Sequence, residues 1–267
     1  QYTKDGKVTC GENALLTLST KQPGDIFAKT IKIRGDRTLY SNNIISKCDS
    51  DGLIRCGWGF TETGRYTSYK CAFGTGSNLQ NITSAMRSMF IPDATFNGTP
   101  DNDYEILLEG DGRQAEAMYV GWASGDEKLI NAFLNNEDVH KLSASFVFGV
   151  PPESIKKGSV ERFVGKRIRH SGNYDVQAQT CAEAYNKDAS GYGYSLVNAK
   201  ITKGWLKKFH EHNPCLKNVY HKETQQMLTR NKTIETEFGR RIVFFDRLGV
   251  KLNMAGYAFR AQAFVGD

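Results

Sequence analysis

The spacing of apolar residues changes period along the chain, and each change marks an element. Leu53, Ile54, Cys56, Trp58 and Phe60 follow the turn signal Asp51-Gly52 and run largely with period two, which predicts a strand over 53–60. Residues 61–65 turn, and a glycine-rich loop over 73–77 precedes Asn78-Leu79-Gln80-Asn81-Ile82. Residues 104–111 read as a short apolar strand ending on a carboxylate. Helical spacing follows over 114–124 and again over 126–148, and Pro151-Pro152 breaks it. A long helical pattern resumes near Ser159 and is expected to run past Tyr174. Gly191-Tyr192-Gly193-Tyr194 reads as a loop. Residues 199–230 are helical with a break at Pro214, residues 238–241 turn into a strand over 242–245, and the tail from 252 to 267 is helical. Near the start, Ala14, Leu15, Leu16 and Leu18 begin a short helix that Pro23-Gly24 ends, and Ile31, Ile33, Leu39, Ile44 and Ile45 suit a packed helix or an extended arm. Helices and strands do not alternate as βαβ units, so the expected fold class is α+β.

Composition narrows the picture only a little. With 267 residues, 39% hydrophobic and 24% charged, the chain can bury a substantial core, and disorder, collagen and coiled coil are poor descriptions. No apolar run approaches the roughly 18 residues of a membrane span, and no signal peptide is visible, so a cytoplasmic protein without a membrane partner is expected. The chain starts without Met and reads as a fragment. Thirty-five Lys and Arg against 29 Asp and Glu give +6, which permits a polyanionic partner without requiring one. Six cysteines at 10, 48, 56, 71, 181 and 215 form no C-x-x-C pair and no zinc spacing, and read as reduced thiols.

Three places carry candidate chemistry. Asp111 closes an apolar strand, where a rigidly held carboxylate suits a hard cation such as Mg²⁺, although a turn aspartate has the same signature. Arg162, Lys166, His170 and Tyr174 recur every four residues, so a helix gathers them in one stripe. Such a stripe could hold phosphates at its cationic end and meet a base at its aromatic end, or be a solvated basic face. His140 stands near the start of a helical segment, where capping and phosphate contact are both open readings.

Taken together, these residues fall into motifs. Asp111-Gly112-Arg113-Gln114-Ala115-Glu116 resembles motif A of the A-family DNA polymerases. Ser124-Gly125-Asp126 and the run from Asp138 to Gly149 resemble that family's fingers segment, and Arg162-x3-Lys166-x7-Tyr174 resembles motif B. Upstream, Thr63-Gly64-Arg65 and Ser77-Asn78-Leu79-Gln80-Asn81-Ile82 resemble the palm loop that touches primer-template. Residues 235–241 resemble the stretch leaving the fingers, and Gln262 with Asp267 resembles the helix re-entering the palm. The matches keep family order over about 37–267, and the wording of 170–174 is similar to phage members.

The resemblance implies a right-handed polymerase: a thumb remnant over 1–42, a palm with an antiparallel sheet over 43–125, helical fingers over 126–250 and a returning palm helix over 251–267. It implies transfer of deoxynucleotides from dNTP to a primer 3′-hydroxyl with release of pyrophosphate, by two Mg²⁺ ions. Asp111 and the Gly112 carbonyl would hold metal, with Asp111 catalytic. Arg162, Lys166 and His140 would clamp the triphosphate, His170 and Tyr174 would lie at the nascent base pair, and Glu116 would block a ribose 2′-hydroxyl. Arg65, Asn78, Gln80, Asn81 and Gln262 would contact the duplex, and a processivity partner is left unknown. The chain departs from the family pattern where His170 replaces Phe or Tyr, Asp175 replaces Gly, Arg113 replaces a small Ser, and the loop from 65 to 78 is longer. No His-Asp-Glu triplet occurs, so the second metal-binding carboxylate is expected downstream and this segment alone is expected to be inactive. The competing readings are a single-subunit RNA polymerase, which Glu116 and Asp138-Val139-His140 disfavour, a non-catalytic primer-template binding protein with a degenerate site, and a structural protein.

Overall fold

The computed structural model describes residue 30, residues 33–35, 37, 38, 40, 44–82, 84–91, 108 and 110, and residues 112–267. These form two compact units. One gathers 114–267 with the turn 62–64, and the other gathers the described residues of 33–61 and 65–113. The strand expected over 104–111, Asp111 itself and the helix expected near residue 14 lie outside the described residues.

In the smaller unit, β1 (Cys56–Phe60) pairs antiparallel with β2 (Tyr66–Lys70), Phe60 opposite Tyr66 and Cys56 opposite Lys70. The Tyr69 ring lies across β1, and a Cβ on Gly57 would stand 2.6 Å from it. Asn78 then opens a short 3₁₀ turn, Leu79–Asn81, its side chain accepting from the Gln80 N–H.

The larger unit is helical. Its helices are α1 (Ala115–Ser124), α2 (Glu127–Leu134), α3 (Val139–Phe148), α4 (Val160–Asn173), α5 (Ala178–Tyr192), α6 (Ala199–His212), α7 (Lys222–Asn231) and α8 (Val250–Gly266). A wider π-helical turn, Leu216–His221, leads into α7, and a two-stranded antiparallel ribbon, β3 (Thr233–Glu235) with β4 (Arg241–Val243), separates α7 from α8. Mixed helix and small antiparallel sheets agree with the α+β expectation. The main core joins Tyr119 and Val120 of α1, Val147, Val164, Ile168, Phe209, Tyr220 and Tyr257. A smaller cluster packs Leu228, Ile234, Leu252 and Phe259. Among the described residues no helix is long and apolar enough to cross a membrane.

Three helix boundaries differ from the sequence expectation. The pattern over 126–148 is two helices, because Asn136 turns left-handed (φ 57°) and Asp138 starts a new helix as its N-cap. The helix begun at Ser159 stops at Asn173 instead of passing Tyr174, because Asp175 adopts φ 51°. The stretch 191–194 is helical through Tyr192 and turns at Gly193 (φ 71°).

Candidate active site

Ser159 caps α4, its hydroxyl accepting from the Arg162 N–H at 3.3 Å. The helix is built to lie close to α3. A Cβ on Gly165 would stand 2.1 Å from the His140 carbonyl oxygen, so only hydrogen fits there. Seven residues on, Gly172 meets the buried Phe209 ring in the same way, at 2.2 Å. These contacts and the buried Val164 and Ile168 fix which side of α4 faces inward. The remaining side carries Lys166 and His170, both exposed, with Arg162 half-buried at its start.

Arg162 donates from Nε to Asp138 Oδ2 at 2.6 Å. Burial alone would raise the Asp138 pKa, but the Arg162 bond and charge and two backbone N–H groups outweigh it, and the carboxyl is held below its usual range. His140, two residues on, is pushed down to about 4 by burial, with Arg162, Lys166 and Arg169 adding to the effect against Asp138. It is therefore neutral at pH 7, and its Nδ1 is buried without a hydrogen-bond partner among the described residues. At the other end of the stripe, Tyr174 is buried and its hydroxyl donates to Glu116 Oε2 on α1. The His170 ring meets Tyr174 edge-on, with centroids 4.9 Å apart. Of the stripe read from the sequence, His170 and Tyr174 thus meet where α4 ends, and Tyr174 also brings in Glu116 across 58 residues.

The other expected site residues stand as follows. Gly112 is exposed, and Gln262 is half-buried on α8. In the smaller unit Gln80 accepts from the Ser68 N–H at 3.1 Å and donates to the Tyr66 carbonyl at 2.8 Å, while Asn78 donates to Thr67 Oγ1 at 3.4 Å. Asn81 is exposed and Arg65 half-buried. Among the described residues no group of three or more His, Cys, Asp and Glu could hold a metal ion.

Sequence reasoning missed Asp138 as the partner of Arg162. The pairing spans 24 residues and depends on how α3 and α4 pack. It also missed that Asp175, whose backbone is left-handed, has its carboxylate 3.4 Å from Lys217 Nζ and 3.7 Å from His210 Nε2.

The sequence model for DNA polymerase family A matches residues 1–262. The chain belongs to this family. Among family A relatives, DNA polymerase I of Streptococcus pneumoniae strain R6 is 27% identical over 97% of this chain and 28% of its own length. DNA polymerase I of Mycobacterium leprae is 37% identical over 43% of this chain and 12% of its length. The chain thus spans less than a third of these curated relatives. The POL domain of Pol1 from M. smegmatis, solved with DNA primer-template and dNTP, superposes with a TM-score of 0.65 at 22% identity, covering all of this chain and 44% of that one. That likeness shows the family A fold.

Proposed function

We propose that this chain is the nucleotide-selecting part of a DNA-directed DNA polymerase, which adds deoxynucleotides from dNTP to a primer 3′-hydroxyl and releases pyrophosphate. The observation that carries the proposal is the order of groups along α4 and its C-cap: Arg162 and Lys166 first, then His170, then Tyr174 at the cap, bonded to Glu116. In this reading Arg162 and Lys166 bind the triphosphate, and their fixed charges stabilise the charge that develops on pyrophosphate. Neutral His140 offers a ring nitrogen to a phosphate without adding a third cation. His170 and Tyr174 stack near the new base pair. Glu116, held by the Tyr174 hydroxyl, occupies the space a 2′-hydroxyl needs, which favours dNTP over rNTP. Arg65, Asn78, Gln80, Asn81 and Gln262 contact the primer-template duplex through shape and minor-groove acceptors. The reading puts the work on bacterial or phage DNA in the cytoplasm.

Magnesium is the metal this reading assigns, with Asp111 and the Gly112 carbonyl as ligands, and it would supply activation of the attacking and leaving oxygens. Asp111 lies outside the described residues, and the described ones form no metal cluster. The roles derived for the chain's own residues therefore stop at binding, orientation and selection.

The test is ternary-complex formation in magnesium buffer. A dideoxy-terminated primer-template is titrated with the 267-residue chain in the presence of each dNTP in turn. The template-matched dNTP should tighten duplex binding, the other three should not, and Glu116→Ala should let the matched rNTP act as well. Duplex binding indifferent to every nucleotide would favour the non-catalytic DNA-binding reading instead.

A further inference from the structure

Asp138 does two things at once. Its Oδ1 accepts from the backbone N–H groups of His140 at 3.0 Å and Lys141 at 3.4 Å and so starts α3, while its Oδ2 accepts from Arg162 Nε on α4. The Asp138 and Arg162 side chains are 24% and 25% exposed, so the pair is partly shielded from water but reachable by a ligand. A guanidinium has five N–H donors, and a bond at Nε leaves N–H groups on the terminal nitrogens for a planar anion. A carboxylate whose other oxygen is pinned by a helix N-terminus cannot follow Arg162 if the arginine swings. Arg162 is therefore steered from α3 as well as by its own helix. Arg162 and Lys166 bring two positive charges to this end of α4, and Asp138 withdraws one.

We propose that Asp138 is a positioning residue for Arg162: it aims the guanidinium and lowers the positive charge that a polyphosphate meets, so that a phosphate chain binds against a carboxylate already in place. The proposal rests on the reading of Arg162 as a triphosphate ligand. A merely structural Asp138 could only lose affinity on substitution. A counter-ion, by contrast, predicts a gain once its charge is removed and the helix cap kept.

The experiment is calorimetric titration of the 267-residue chain with inorganic tripolyphosphate. Asp138→Asn keeps its one oxygen for the cap but turns an amide N–H₂ towards Arg162 Nε, so it removes both the charge and the Arg162 bond. It should bind tripolyphosphate about fivefold more tightly than the parent, the scale of one part-exposed charge contact. Asp138→Ser also caps α3, carries no charge and is too short to hold Arg162, so it should show the same gain. The gain should shrink in an Arg162→Ala background. Both side chains are good caps, and the thermal midpoints check that α3 is intact. Unchanged or weaker binding by both variants, or the full gain without Arg162, would each overturn the proposal. If Arg162→Ala alone binds tripolyphosphate like the parent, the triphosphate reading of Arg162 fails, and this proposal fails with it.

Discussion

Tyr174 and Asp175 are neighbours at the end of α4, yet they are held by different forces. Tyr174 is buried with its hydroxyl on Glu116. Asp175 sits in left-handed backbone, and its carboxylate faces Lys217 and His210. Left-handed backbone costs an ordinary residue about 1–2 kcal/mol, and aspartate less because its short side chain bonds locally. Asp175→Ala should therefore unfold more easily in urea than Asp175→Gly, by about 1 kcal/mol. Equal stability of the two variants would mean that backbone strain is not what the position selects against. His210 and His140 make a second residue-scale prediction. Burial pushes both imidazoles from 6.5 down to about 4, with Lys217 adding to the effect at His210. Their contribution to stability is complete above about pH 6.5. As pH falls towards 4, the unfolded chain takes up protons first and stability declines. Urea midpoints measured from pH 7.5 to 4.5 should show this fall, and His210→Gln should flatten it.

At the scale of an element, α4 depends on two glycines as much as on its charged stripe. Gly165 faces a backbone carbonyl, which cannot rotate out of the way, whereas Gly172 faces the Phe209 ring. Gly165→Ala should destabilise the protein by about 1–3 kcal/mol through overpacking, despite alanine's higher helix propensity. Chemical denaturation measures it, and a stabilised Gly165→Ala would show that α3 and α4 can separate at little cost. The periodicity that placed α4 in the sequence also placed α1, α6, α8 and β1, because amphipathic spacing and turn residues are local signals. The C-terminal end of α4 and the break between α2 and α3 were not legible in the same way. They are set by single left-handed residues, Asp175 and Asn136, of types that also occur inside helices. The ribbon strand β3 was missed because three residues carry too little pattern to show a period.

Across the whole molecule, the family and its fold were legible because motifs occur in a fixed order. The geometry of the site was not, because its decisive contacts join distant residues: Glu116 to Tyr174, and Asp138 to Arg162. The net charge of +6 makes one prediction at this scale, since Arg65, Arg162 and Lys166 are proposed to face nucleic acid or its precursors. Duplex affinity should fall with salt, with a logarithmic slope of roughly −0.9 for each phosphate neutralised, and a flat response would count against duplex binding.

The last helix closes the larger unit. Phe264 stacks on Tyr119 with centroids 4.3 Å apart, the Tyr220 hydroxyl donates to the Tyr257 carbonyl at 2.6 Å, and the Asp267 carboxylate takes Arg240 and Thr236. In a cell this sets a waiting time. Ribosomes add roughly 5–20 residues per second, so Tyr119 emerges on the order of ten seconds before Tyr257. During that interval α1 has no α8 to cover its aromatic face. The nascent chain is then exposed to chaperones and to misassociation, and slowing translation between α1 and α8 should lower the yield of folded protein.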